Sequence, residues 1–139
     1  MGFVFQTFNL IPTLTALENV ELPMALAMRT QDEQRKVAFQ LLSMVGLEKR
    51  LDHRPKELSA GEMQRVAIAR ALSNTPKIIL ADEPTGELDS ETGSEIILLL
   101  SKLCKTQETT VIVATHDKRL TEVADATYEI RDGKIDNAR

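Results

Sequence analysis

A parallel α/β sheet accompanied by a helical segment is the fold this sequence predicts, and three observations carry the prediction. Two short apolar runs of strand character, Lys77–Ala81 and Thr110–Ala114, bracket a stretch in which Ile96, Leu99, Leu100 and Leu103 recur at i, i+3, i+4 and i+7. Strand–helix–strand alternation of this kind is the pattern of a parallel sheet with helices packed on it. Ahead of it, residues 15–47 carry two helix-start signals in succession, which makes that region largely helical.

Taken in order, Phe3-Val4-Phe5 is β-prone and runs straight into Gln6, so a short strand opens the chain. A chain that opens inside a buried strand leads us to expect further sequence before it. Thr15-Ala16-Leu17-Glu18 is a capping box, in which Thr15 and Glu18 satisfy the first free amides of a helix whose length Pro23 leaves open. Thr30-Gln31-Asp32-Glu33 repeats the box. Val37, Leu41, Met44 and Val45 follow at helical spacing, and Gly46-Leu47 reads as a glycine stop with its hydrophobic follower. Glu48–Leu58 is charged, contains Pro55 and reads as a connector. Ser59-Ala60-Gly61-Glu62 is a third box and opens a helix to about Asn74. The strand Lys77–Ala81 ends in Asp82 and Glu83, Asp89 or Ser90 caps the next helix, and the strand Thr110–Ala114 leads to His116. Ala126–Arg131 and Lys134–Asp136 flank Asp132-Gly133, a two-residue hairpin turn. There is no internal repeat and no low-complexity tract.

With 139 residues, 42% hydrophobic and 27% charged, the chain can bury a real core and reads as globular. Its net charge of −4 supplies no basic field for nucleic acid, which we do not expect as a partner. The one cysteine, Cys104, cannot form an internal disulfide; beside Leu103 in a helical pattern it reads as a packing residue in a reducing compartment. The longest apolar runs, Ile96–Leu100 and Ile78–Ala81, fall far short of the ~18 residues of a membrane-spanning helix, and no basic n-region opens the chain. A cytoplasmic protein is the expectation.

Parallel sheets present their reactive groups at the carboxyl ends of strands, and Asp82, Glu83 and His116 all fall there. Adjacent carboxylates in that place suit nucleotide hydrolysis: one holds the water shell of Mg²⁺, and the next orients and deprotonates the attacking water. A solvated acidic pair would look the same. Ser59 and Gly61 at a helix start offer free amides, a hydroxyl and close access, the makings of an anion site, although Ser-x-x-Glu alone is an ordinary capping box. Order and spacing remove the ambiguity. Gln6, Leu58–Arg65, Asp82-Glu83, Leu88-Asp89 and His116 together resemble the Q-loop, signature, Walker B, D-loop and switch histidine of the ATP-binding cassette (ABC) ATPases. The resemblance runs over essentially the whole chain. Arg65–Leu72 and Leu80–Ser90 are similar to the lipoprotein-releasing and macrolide-exporter type.

The resemblance implies a partial P-loop NTPase (ABC ATPase) fold, a parallel sheet with helices plus an α-helical subdomain, divided as 1–14 (Q-loop strand and loop), 15–58 (helical subdomain and connector) and 59–139 (ATPase core). It implies ATP and Mg²⁺ as cofactors. Gln6 would sense the magnesium and attacking water, Asp82 would serve the magnesium, Glu83 would be the general base, and His116 would meet the γ-phosphate. Ser59, Ala60, Gly61 and Glu62 would meet the nucleotide of a second subunit in a head-to-tail homodimer, with Asp89 crossing the same interface. Transmembrane permease subunits would be the partners, holding the protein peripherally on the inner face of the cell membrane. Phe8, Leu10, Ile11 and Leu14 would supply a docking groove for them or fold into the local core.

Two departures matter. Ala60 stands where the family usually has glycine, and Glu62 where glutamine is common. No G-x-x-x-x-G-K-[ST] phosphate loop occurs, so this chain by itself is not expected to bind ATP tightly or hydrolyse it. A DNA-repair or chromosome-type ABC ATPase is the alternative; the 53 positions between Gln6 and Ser59 (59 − 6) hold a small helical subdomain but no long coiled coil. A non-catalytic fragment is a further alternative. His53 reads as a solvated connector residue, and Arg65 and Arg70 as a solvated or structural face. With no phosphate-loop strand, Thr110–Ala114 is expected to lack one sheet neighbour and the hairpin its attachment to the main sheet. Self-association, an exchange of elements, or the hairpin folding back would then hide the edge.

Overall fold

The computed structural model describes residues 1–138, and its order is β1 (Gly2–Val4), α1 (Ala16–Leu26), α2 (Gln31–Met44), a 3₁₀ turn (Pro55–Glu57), α3 (Ala60–Leu72), β2 (Ile78–Asp82), α4 (Ser90–Thr106), β3 (Thr110–Ala114), α5 (Lys118–Val123), β4 (Tyr128–Arg131) and β5 (Lys134–Ala138). Strands β1, β2 and β3 form a parallel sheet in that order, with Val4 opposite Ala81 and Asp82 opposite Ala114. The expected α/β class is therefore what the chain adopts. The register brings the exits of all three strands to one edge, where Gln6, Glu83 and His116 follow.

The helix starts obey their local sequence. Thr15, Thr30 and Ser59 each accept a hydrogen bond from the amide three residues on, while Glu18, Glu33 and Glu62 reach back to the cap amide. α2 ends in a Schellman motif: Leu47 donates to the Leu42 carbonyl and Gly46 to that of Ser43, with Gly46 at φ +79. α1 runs through Pro23 instead of stopping there. Proline lacks the amide that would bond Asn19, four residues back, and the loss of one bond is tolerated where Val20 and Met24 anchor the helix in the core.

One apolar core runs from Val4 through α1, α2 and α3 to Ile79, Ala81, Ile96 and Leu103, so the helical subdomain and the sheet share it. Leu10 packs against this core, whereas Ile11 stays exposed. Cys104 is half-buried on α4 and burial pushes its thiol up, in keeping with a packing residue.

The strand limits differ slightly from the periodicity. β1 is Gly2–Val4, because burial alternates with Gly2 and Val4 inside and Phe5 already outside the ladder. α3 stops at Leu72, two residues before Asn74. α5 was unforeseen: six residues are too short to show a helical period. The hairpin forms at Asp132-Gly133, both with positive φ as such a turn requires. β4 and β5 pair with each other in a separate two-stranded sheet, and β3 is bonded only to β2 among the described residues. The lost neighbour and the detached hairpin are both as expected; among the described residues the hairpin does not pair with β3.

Candidate functional site

The site is built at the exits of β1, β2 and β3. β2 ends at Asp82, which is exposed. Glu83 then takes φ +42, a left-handed conformation uncommon for a side-chain-bearing residue, while its amide still donates to the Ala114 carbonyl at 2.9 Å. The ladder is thus extended one residue beyond the strand as the backbone turns. That turn aims the Glu83 carboxylate across to the exit of β3.

There it accepts the Thr115 hydroxyl at 2.9 Å, the His116 amide at 3.1 Å, and lies 2.7 Å from His116 Nδ1. A carboxylate is acceptor-only, so Nδ1 carries the proton in this pair and Nε2 is the outward-facing ring nitrogen. The imidazole is 86% exposed while the Glu83 side chain is 22% exposed. Burial acts to raise the Glu83 carboxyl, but the His116 and Thr115 hydrogen bonds outweigh it and hold the group below its ordinary range. Glu83 is ionised at neutral pH.

Around this pair, Asp117 accepts from Thr85 Oγ1 at 3.0 Å and from Arg119, and Arg119 Nη1 reaches the Ser90 carbonyl at 2.6 Å. Segments 83–86, 115–119 and the start of α4 are thereby tied together. Gln6 lies against Gly86 and donates to the Glu87 carboxylate at 3.2 Å. Glu83, His116 and Gln6 are therefore brought to one edge, with Asp82 beside them.

Ser59 caps α3, and Ala60, Gly61 and Glu62 form its first turn. Glu62 both closes the capping box and pairs with Arg50 at 3.0 Å. Its charge at the helix start is met by a cation. Gly61 packs so closely on α4 that a Cβ there would collide with the Thr92 methyl, and Thr92 Oγ1 donates to Asp89 at 2.7 Å. Asp89 is the N-cap of α4. The expected signature and D-loop residues are thus neighbours through Thr92.

Gln64 and Asn19 were given no role in the sequence reading, whereas Arg70 takes the structural one of the two roles it was given. Gln64 is fully buried and donates to the Pro84 carbonyl at 2.6 Å. Arg70 holds the carbonyls of Phe8 and Asn9, both at positive φ, at 2.9 and 2.6 Å. Asn19 is fully buried and binds both the amide and the carbonyl of Ile11. Thr115 and Asp117 flank His116 directly, and that adjacency was the one signal available.

An ABC transporter family model matches residues 1–86. The chain belongs to the ABC transporter family. It is 55% identical over 134 residues to an uncharacterized ABC transporter ATP-binding protein of Methanocaldococcus jannaschii, covering 96% of this chain and 59% of that protein. It is 50% identical over 135 residues to the lipoprotein-releasing system ATP-binding protein LolD of Syntrophotalea carbinolica, covering 97% and 60%. The macrolide export ATP-binding/permease protein MacB of Brucella melitensis is 55% identical over 134 residues, with 96% of this chain and 21% of that protein covered. A dimeric ATP-binding cassette in a post-hydrolysis state, bound to ADP and Pi, superposes with a TM-score of 0.85 at 49% identity, covering 99% of this ABC chain and 61% of the cassette. The chain spans about three fifths of the length of the first curated relatives it matches. Among the described residues no helix is long and apolar enough to cross a membrane.

Proposed function

We propose that this chain is the portion, from the Q-loop onward, of an ABC transporter ATPase subunit that couples ATP hydrolysis to transport. The 1–14, 15–58 and 59–139 segments are the Q-loop region, the helical subdomain with its connector, and the signature-to-hairpin part of the ATPase core. One observation carries the reading: Glu83 turns at the end of β2 and meets His116 at the end of β3, with Gln6 at the same edge.

Glu83 is the general base. Its carboxylate is held ionised and fixed by Thr115 and His116, so it can orient a water and take its proton. His116 Nε2 faces outward and is the atom offered to the γ-phosphate. Asp82 and Gln6 present hard oxygen donors of the kind Mg²⁺ prefers, few enough that waters and phosphate oxygens complete the shell. When bound, Mg²⁺ neutralises charge developing on the phosphates. The first turn of α3, with Ser59, Ala60, Gly61 and Glu62, meets the nucleotide of a second subunit through free amides, and Asp89 lies at the same interface. Ala60 keeps the backbone N–H that contact needs. Transmembrane permease subunits are the partners, placing the subunit at the inner face of the membrane.

The test uses a complete cassette carrying this chain, for example with the preceding segment taken from the Methanocaldococcus relative. Steady-state assay with Mg-ATP should show hydrolysis, and Glu83→Gln should lower turnover by at least ~10²-fold. Near-wild-type turnover in the variant would remove Glu83 from the role of base.

A further inference from the structure

We propose that Gln64 is a positioning residue for hydrolysis, whose side-chain amide fixes the Glu83 and Gln6 segments to the second turn of the signature helix. Its Nε2 donates to the Pro84 carbonyl at 2.6 Å and reaches that of Phe5 at 3.5 Å. Pro84 directly follows Glu83, and Phe5 directly precedes Gln6. The side chain itself leaves α3 five residues after Ser59. One amide therefore touches the backbone beside the proposed base and beside the proposed Q-loop glutamine, from a helix whose start is the proposed contact to a second nucleotide.

The chemistry selects an amide. Two carbonyl oxygens face the group, so the NH₂ end must point at them and the orientation is settled by its partners. A methionine fills the volume without a donor, and an ionised glutamate sets acceptor against acceptor. The other end of Gln64 is unfavourable: Oε1 is buried with no hydrogen-bond partner among the described residues. A residue serving only to pack would be apolar there, because a buried unpaired acceptor is destabilising. Retention of the amide despite this points to the placement of its donor. Glu83 sits at a left-handed φ that its surroundings must enforce, and the clamp on the next carbonyl is one of the contacts that do so.

The inference rests on the ATPase reading, and its test separates the two. In the same complete cassette, Gln64→Met should keep Mg-ATP affinity within about twofold while kcat falls about tenfold or more, since small displacements of a base are costly to the chemical step. Gln64→Glu should be active in its protonated form, which donates as the amide does, and inactive in its ionised form. Burial raises such a carboxyl, so activity relative to wild type should fall about tenfold between about pH 6 and about pH 8. Ionisation of a buried carboxyl also lowers stability as pH rises, so the folded fraction is measured at each pH. A merely structural residue would leave kcat per folded cassette, relative to wild type, flat with pH. A methionine variant within twofold of wild-type kcat, or a glutamate variant whose profile parallels wild type, would overturn the proposal. Should the methionine variant fail to fold, the glutamate profile decides alone. A wild-type cassette that does not hydrolyse ATP sinks the ATPase reading and this one with it; a hydrolysing wild type with silent Gln64 variants sinks only this one.

Discussion

Asp117 accepts from Arg119 and from Thr85, and these bonds, with Arg119 foremost, hold its carboxyl far below the usual aspartate range despite the opposing effect of burial. A folded-state pKa lowered in this way makes a stability contribution that is fully present above the unfolded value of about 3.9 and is lost as pH falls through the folded value. Asp117→Asn cannot titrate. The stability gap between wild type and this variant should therefore stay constant from neutral pH down to about pH 4 and close below it. Denaturant unfolding of both proteins across that span measures the gap, and a gap independent of pH would show that Asp117 gains nothing from its charge. Glu83 follows the same sign through its His116 and Thr115 partners. Legibility at this scale depended on neighbours in sequence. Glu83 and His116 were visible because each closes an apolar strand, while the tertiary bonds of Gln64 and Arg70 were not. Their partners lie 20 to 62 positions away, and nothing local distinguishes a buried amide from an exposed one.

Between elements, the contact of α3 with α4 gives Gly61 a second reason to be glycine. The sequence points only to an anion site at a helix start, but the structure places the Thr92 methyl where a Cβ would go. Thr92 cannot simply rotate away, because its hydroxyl is bonded to Asp89 at 2.7 Å. Inside a helix, glycine to alanine is otherwise stabilising by about 1 kcal/mol. The sign of the change thus decides whether the collision is real: Gly61→Ala should destabilise by about 1–3 kcal/mol through overpacking. Thr92→Ser removes the methyl and keeps the hydroxyl, so in that background the same Gly61→Ala should become neutral or stabilising. A double-mutant cycle by chemical denaturation gives the coupling, expected at about 0.5–3 kcal/mol. Additive effects would separate Gly61 from Thr92. The three capping boxes and the Gly46 stop were readable because each completes within a few residues, whereas this contact joins positions that only the fold brings together.

Across the whole molecule, the feature with the largest consequence is the outer edge of β3. A parallel strand is ordinarily covered on both sides and both faces, because its run of apolar residues has no polar side to give to water. Here β3 bonds only to β2 among the described residues, and Ile112 at its centre is 54% exposed. The hairpin that could cover it pairs with itself and leaves Tyr128, Ile130 and Ile135 exposed as well. A row of free amides and carbonyls beside an exposed isoleucine is a template for another strand. This 139-residue chain by itself should therefore associate as its concentration rises. Ile112→Lys, which sets a charge on the edge in the manner of natural edge strands, should keep it monomeric with little change in stability. Light scattering over a range of concentrations reads both. A wild-type chain that stays monodisperse and monomeric throughout would show that the edge is not sticky. Association unaffected by Ile112→Lys would move the contact to the hairpin.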